Sequence, residues 1–552
     1  MLKNYSDKQK AILYTIAWFL LNLFFSLTTV LADDEAYYWV YAKYLDWGYF
    51  DHPPMIALMI KVGTWLFNNE LSIRFFTVVA SSFTLWLLFQ LTEFKRSAQL
   101  FLLFLTVPAF HALGFISAPD VPMLLFGTWY LYRFKKYLEE DSFKNIVYLA
   151  LIVALLMYSK YHGLLLVIFT LLPNYKVLAR KSFYSVLILS LLFFFPHIWW
   201  QIQNDLVSLR FHLFDRVRGA YDITFTSDYI LGQLLFCGPL LFFLFAAKAN
   251  KFKSDFSSTL KFTAIGFYIF FLLMSFRSYI EANWAAMGYV AALLIVHDAL
   301  KESLNSFTKY TAIILSSILI AFRVFLILPF DKTAFEVTEQ FGRDRAYYEN
   351  FHQRAGDHPV LFCNNYQKAS KYMFYIDKPA FTLNSYWYRR NQFDTWPIQK
   401  ECQGKAVMCF AIQEFPNCTL ENFNNDKIHY ELNSSLKSYG YLSFELEQKE
   451  IHVKQGDLYK GELKVLNPYL KELKYDSTEI EIYAVLKDKD GHHLSPMRVA
   501  VAKEFQLAKL EPISFEMPVN IAEGEYIIEF GIYSKYCNVL WNSPLYKVFV
   551  KK

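Results

Sequence analysis

From the N-terminus to about residue 330, apolar residues come in unbroken runs rather than in alternation with polar ones. The runs fall at about 11–31, 72–91, 99–115, 121–138, 145–158, 163–173, 182–200, 228–247, 260–276, 282–297 and 309–329. A helix of roughly 20 apolar residues crosses the hydrocarbon core of a bilayer. The pattern therefore predicts about eleven membrane-spanning helices, the fifth and sixth short enough to be tilted or half-buried in protein. After about residue 331 the pattern changes. Short strand-like runs at 359–363, 380–383 and 406–412 surround a helical stretch at about 368–375. From about 439 the alternation is that of strands, as in Glu462-Leu-Lys-Val-Leu and Glu479-Ile-Glu-Ile-Tyr-Ala-Val-Leu, with Asp490-Gly491 as a hairpin turn. The expected organisation is a polytopic α-helical membrane domain over 1–330, an α/β unit over 331–436 and a β-sandwich-like domain over 437–552.

Composition agrees with that class: 55% of the 552 residues are hydrophobic and 19% aromatic. The net charge of +5 is modest and spread over short loops, which argues against a nucleic-acid partner. The apolar run at 11–31 lacks a small-residue cleavage site and reads as a retained first span rather than a removed signal. None of the six cysteines forms a Cys-x-x-Cys or zinc-ligand spacing, although Cys402 and Cys418 are candidates to pair in an oxidising compartment.

Charge sets the orientation. Lys3, Lys8 and Lys10 precede the first run, Lys95 and Arg96 join the second and third, and Arg133, Lys135, Lys136 and Lys144 join the fourth and fifth. Lys176, Arg180 and Lys181 follow the sixth, Lys248, Lys251, Lys253 and Lys261 join the eighth and ninth, and Lys301 and Lys309 join the tenth and eleventh. Every second loop is basic, so these loops and the N-terminus are expected in the cytoplasm. With an odd number of spans, the hydrophilic region from about Asp331 is then extracytoplasmic.

The chemistry concentrates on that outer face. Asp33, Asp34 and Glu35 directly follow the first run, and a carboxylate at mid-bilayer costs roughly 2.5–3.5 kcal/mol, so the three acids mark a membrane edge. A loop rich in Tyr and Trp follows, ending in Asp51-His52-Pro53-Pro54, and a helix is expected from Met55 to Phe67. Four further connections share the face: Ser117-Ala-Pro-Asp120, Ser159-Lys160-Tyr161-His162, the loop Trp200 to Asp228 with Arg210, Arg216 and Arg218, and Arg277-Ser-Tyr-Ile-Glu281-Ala-Asn283-Trp284. Taken singly, Asp120 reads as a helix cap and Lys160 as a snorkelling side chain. Their convergence with acids at a bilayer edge suits a lipid-phosphate substrate. In sugar transfer from a polyprenyl phosphate, Asp34 would take the acceptor hydroxyl proton, while Lys160, Arg210, Arg216 and Arg277 hold the leaving phosphate. Glu35, Asp51, His52, Asp120 and Glu281 would bind or position substrate, with Asp51 and His52 also weak candidates for a divalent metal ion.

Asp34-Glu35 after the first span, followed by an aromatic loop ending in an acid and Pro53-Pro54, resembles the first external loop of the bacterial relatives of the protein O-mannosyltransferases. These are GT-C-class glycosyltransferases and include the aminoarabinose transferases that modify lipid A. The resemblance continues through Pro119-Asp120-x-Pro122, Ser159-Lys160-Tyr161 and Glu281-Ala-Asn283-Trp284, covering roughly residues 10–300. It implies a GT-C-like fold and an inverting enzyme that uses a polyprenyl-phosphate monosaccharide, with Asp34 as catalytic carboxylate on the periplasmic face of the bacterial inner membrane. The acceptor would be a lipid, a glycan or a protein. In the aminoarabinose transferases a Glu-Lys pair precedes the two prolines, where this chain has Asp51-His52, and Tyr37 or Tyr38 stands in place of an Arg that follows the Asp-Glu pair. A different sugar or acceptor is therefore expected. Two other classes fit the composition: a transporter or flippase of lipid-linked sugars, whose site would lie near mid-bilayer in a repeated architecture, and an oligosaccharide ligase.

Overall fold

The computed structural model describes residues 5–215, 221–251, 256–300, 304–328, 336–423, 426–466, 481–488, 492–494, 496–501 and 512–552. The chain forms two compact units, one reaching Gly342 and the other running from Arg343 to Lys552.

The first unit is helical: α1 (Asp7–Thr28), α2 (Asp33–Lys43), α3 (Met55–Thr64), α4 (Glu70–Leu91), α5 (Ser97–Phe104), α6 (Pro108–Ala112), α7 (Asp120–Glu139) and α8 (Phe143–Ser159) come first. They are followed by α9 (Gly163–Leu171), α10 (Lys181–Gln203), α11 (Val207–Arg210), α12 (Ile223–Cys237), α13 (Pro239–Lys248), α14 (Ser257–Ser275), α15 (Ala286–Ala299) and α16 (Ser306–Ile327). Ser6 starts α1 with a capping box: its hydroxyl accepts from the Gln9 amide at 3.3 Å while its own amide donates to the Gln9 side chain at 2.9 Å. At 1.5 Å per residue the 22-residue α1 is about 33 Å long, the thickness of a bilayer core.

Among the described residues α1, α4, α10, α14 and α16 are long and apolar enough to cross a membrane, and α12 with α13 makes a sixth candidate bent by 96°. Two expected runs are broken. The run at 99–115 divides into α5 and α6 because Pro108 has no amide proton and keeps Val107 extended, at φ −99° and ψ 105°. The run at 228–247 breaks at Gly238-Pro239. Gly238 has φ +83°, and a Cβ there would lie 2.3 Å from the Thr106 carbonyl oxygen, so only glycine fits. The aromatic loop after the first span is half helical, since α2 occupies its beginning. Three acids in the first turn complement the helix N-terminus.

The second unit carries three sheets. In the first, β1 (Val360–Phe362) pairs in parallel with β2 (Ala380–Phe381) and β3 (Val407–Ala411), and β3 continues antiparallel through β5 (Asp426–Asn433) to β4 (Thr419–Phe423). The helix Tyr366–Ile376 connects β1 to β2. The strands that follow are β6 (Ser443–Leu446), β7 (Glu450–Lys454), β8 (Leu458–Leu466), β9 (Ile482–Lys487), β10 (Met497–Arg498), β11 (Ala500–Val501), β12 (Pro512–Pro518), β13 (Gly524–Ser534), β14 (Asn538–Val539) and β15 (Tyr546–Lys551). They form one sheet of order β10-β9-β13-β15-β7, with β14 on β13, and another of order β11-β12-β8-β6. Inward residues such as Phe444, Leu463, Phe515, Phe530 and Val548 fill the core between them. The expected Asp490-Gly491 turn lies outside the described residues.

The disulfide joins Cys363 to Cys537 across 174 residues, not Cys402 to Cys418. Cys402 is buried at the end of a four-residue helix, and the Cys418 sulfur instead meets His429 Nδ1 at 3.2 Å.

Candidate functional site

The first turn of α2 separates its acids by direction. Successive helix residues point about 100° apart, so Glu35 enters the protein while the Asp34 side chain is exposed. Glu35 Oε1 accepts from Arg74 Nε at 2.8 Å and from the Ser117 amide at 2.9 Å, and Oε2 accepts from Arg74 Nη2 at 2.5 Å and the Ala32 amide at 2.8 Å. Both side chains of this ion pair are 0% exposed. Arg74, from α4, also donates to the Thr29 carbonyl and hydroxyl at 2.8 Å each and to the Val30 carbonyl at 2.9 Å. One guanidinium thus ties the residues that follow α1 to the first turn of α2. Glu35, expected to bind or position substrate, thus carries four donors on its two oxygens.

A second buried pair draws three other connections together. Lys160 Nζ donates to Asp120 Oδ1 at 2.7 Å, and Asn283 Nδ2 donates to Asp120 Oδ2 at 3.0 Å. Lys160 and Asp120 side chains are 7% and 4% exposed. The ammonium also stands 5.8 Å from the Trp284 ring centre, and Trp284 packs on His162 at 4.9 Å. Asp120 therefore does more than begin α7, and Lys160 does not snorkel.

The aromatic stretch is tied to the connection after α10. The Tyr41 hydroxyl donates to Asp51 Oδ1, and the Tyr41 ring stacks on Tyr49 at 3.9 Å. His212 Nε2 lies 2.9 Å from the Asp51 carbonyl, and its ring is 5.5 Å from that of Tyr161. Gln201 Nε2 donates to the Tyr161 hydroxyl at 2.8 Å and to Ser208 Oγ at 2.7 Å, and Ser208 donates to the Tyr49 carbonyl at 2.6 Å. Burial, then the Asp51 carboxylate, push the Tyr41 hydroxyl well above its ordinary range, so it stays a proton donor to Asp51. Burial likewise raises Tyr161.

Arg210, Arg277 and Glu281 are exposed at the ends of their elements, and His52 is half-buried with its ring 5.7 Å from Tyr38. Arg216 lies outside the described residues. Among the described residues no three His, Cys, Asp or Glu side chains gather as metal ligands. The sequence does not single out Arg74, Gln201 or His212, which the structure places in these networks. Arg74 had a signal, an arginine near the start of an apolar run, which is a functional flag in a membrane helix.

A family model described as dolichyl-phosphate-mannose-protein mannosyltransferase matches residues 51–200. Lipid A galacturonosyltransferase RgtD of Rhizobium johnstonii is 23% identical over 308 residues, which cover 50% of this chain and 62% of that relative's length. The crystal structures of ArnT from Cupriavidus metallidurans, in the apo state and bound to undecaprenyl phosphate, superpose with TM-scores of 0.53 and 0.52. At 12% identity they cover 77% of this chain and 98% of their own, and the chain shares their fold.

Proposed function

We propose that the chain is an inverting glycosyltransferase that moves one sugar from a polyprenyl-phosphate donor to an acceptor hydroxyl, with Asp34 as general base. The carrying observation is the contrast within one helical turn: Glu35 is locked by Arg74 and two backbone amides while Asp34 is exposed beside it. That arrangement fixes the position of a solvent-accessible carboxylate at the end of an apolar helix. Asp34 removes the acceptor proton as the hydroxyl oxygen attacks the anomeric carbon, and the bond to the polyprenyl phosphate breaks on the opposite face. The exposed guanidiniums of Arg210 and Arg277 take up charge on the departing phosphate, and Lys160, whose ammonium donates one hydrogen bond to Asp120, has two further N–H groups.

Of the lipid, glycan and protein acceptors, a lipid is favoured by the relative named as a lipid A galacturonosyltransferase, and the donor type by the ArnT structure named as bound to undecaprenyl phosphate. The proposed topology keeps eleven spans, a cytoplasmic N-terminus and the reaction on the periplasmic face of the inner membrane, resting on the alternation of basic loops. Purified protein given a mixed pool of polyprenyl-phosphate monosaccharides and membrane extract is expected to consume one donor and release polyprenyl phosphate. Movement of intact lipid-linked sugar across liposomes, with no donor consumed, would instead identify a transporter.

A further inference from the structure

We propose that the C-terminal unit carries a saccharide-binding cleft built from residues that take no part in the Asp34 region. The cleft has a volume of about 460 Å³ and is lined by Asn433, Lys437, Tyr439, Glu481, Tyr533 and Tyr536, among others. That volume is within the range of about 300–1,000 Å³ typical of small-molecule sites, and well beyond the water-sized voids that packing leaves.

The wall chemistry selects the ligand class. Three tyrosines offer apolar ring faces with polar tips, which suit a pyranose ring, whose C–H groups lie on its faces and whose hydroxyls lie at its edge. The Tyr533 ring is 39% exposed, with its centre 5.8 Å from that of Tyr483. Glu481 accepts from Arg498 at 2.9 Å and from the Tyr483 hydroxyl at 3.0 Å, one bond on each oxygen. A carboxylate has about four acceptor positions, so each oxygen can still take a sugar hydroxyl.

The cleft is also preorganised. The β13–β14 hairpin that bears Tyr533 and Tyr536 is tied to the neighbouring sheet by the Cys363–Cys537 disulfide, by the Tyr386 amide donating to the Val539 carbonyl at 2.9 Å, and by the bridge between Ser385 and Leu540. A wall already fixed loses little freedom when a ligand binds.

The test uses full-length protein in lipid nanodiscs, free of sugar-headed detergent, and saturation-transfer NMR with methyl glucoside, glucosamine and galacturonate as probes. Saturation is expected at the ring C–H protons of at least one sugar. Tyr533→Ala should weaken its binding at least fivefold and Tyr533→Trp should restore it. Lys437→Ala, also at an exposed rim position, gives a second variant if Tyr533→Ala lowers the unfolding temperature. Asp34→Asn should bind the probe like wild type, so a protein that binds sugar but transfers none overturns only the transferase reading. No saturation with any of the three sugars, or saturation unchanged by both cleft variants, overturns the cleft.

Discussion

Arg74→Ala removes a guanidinium that donates to Glu35, Thr29, Ser26 and Val30, and takes its counter-charge from a Glu35 carboxylate that is 0% exposed. Breaking a buried pair from one side costs about 3–5 kcal/mol, because the remaining ion keeps its desolvation penalty. The residues that follow α1 and the first turn of α2 lose their shared partner in the same step. In nanodiscs, followed by thermal or denaturant unfolding, the variant should fall by an amount in that range. Glu35→Gln should also destabilise, because it leaves the buried Arg74 guanidinium without its counter-charge and sets an NH₂ against donors. Replacing both partners with Met should recover part of the loss. Asp34→Asn, one residue away and exposed, should change stability by less than about 0.5 kcal/mol. A loss below about 1 kcal/mol for Arg74→Ala would refute the view that this pair sets the first turn of α2.

Two further consequences belong to the C-terminal unit. Burial raises the Asp426 carboxyl, but Lys368 Nζ at 2.7 Å, the Tyr347 hydroxyl at 2.5 Å and Arg343 more than reverse this and hold it below the ordinary carboxylate range. Its contribution to stability is therefore complete above the unfolded value of about 3.9 and is lost as pH falls through the lower folded value. Unfolding midpoints of Asp426→Asn should accordingly fall less steeply than wild type between pH 5 and pH 3, both values being assay conditions chosen to bracket about 3.9. Loop-closure entropy over the 174 residues between Cys363 and Cys537 gives an upper estimate of about 5 kcal/mol for the disulfide, so Cys363→Ser with Cys537→Ser should lower the unfolding temperature of this unit sharply.

Hydrophobic runs carried most of the helical unit because burial in lipid requires long apolar segments, and α1, α4, α10, α14 and α16 all fall within the expected runs or within a few residues of them. Run length alone hid the breaks at Pro108 and Gly238, where a missing amide proton and a backbone approach of 2.3 Å decide the path. The aromatic stretch misled for a related reason. Interfacial Tyr and Trp are as compatible with a surface loop as with a helix, and three acids that mark a membrane edge can equally occupy the first turn of α2. At the site, Asp120, Lys160 and Asn283 were legible from position because their connections share a face, and the structure joins them at 2.7 and 3.0 Å. The Glu35–Arg74 pairing was not legible, since the partners lie 39 residues apart and only packing of α4 against the α1–α2 junction brings them together. The disulfide was not legible on the same ground, since Cys363 and Cys537 lie 174 residues apart and follow or precede strands of two different sheets.

Single-turnover transfer from the consumed polyprenyl-phosphate sugar reads out whether Asp34 is the base. Asp34→Asn should bind the donor as wild type does and transfer its sugar about 10²–10⁴-fold more slowly, the contribution of a positioned base. Transfer within a few-fold of wild type at equal donor binding would contradict the account.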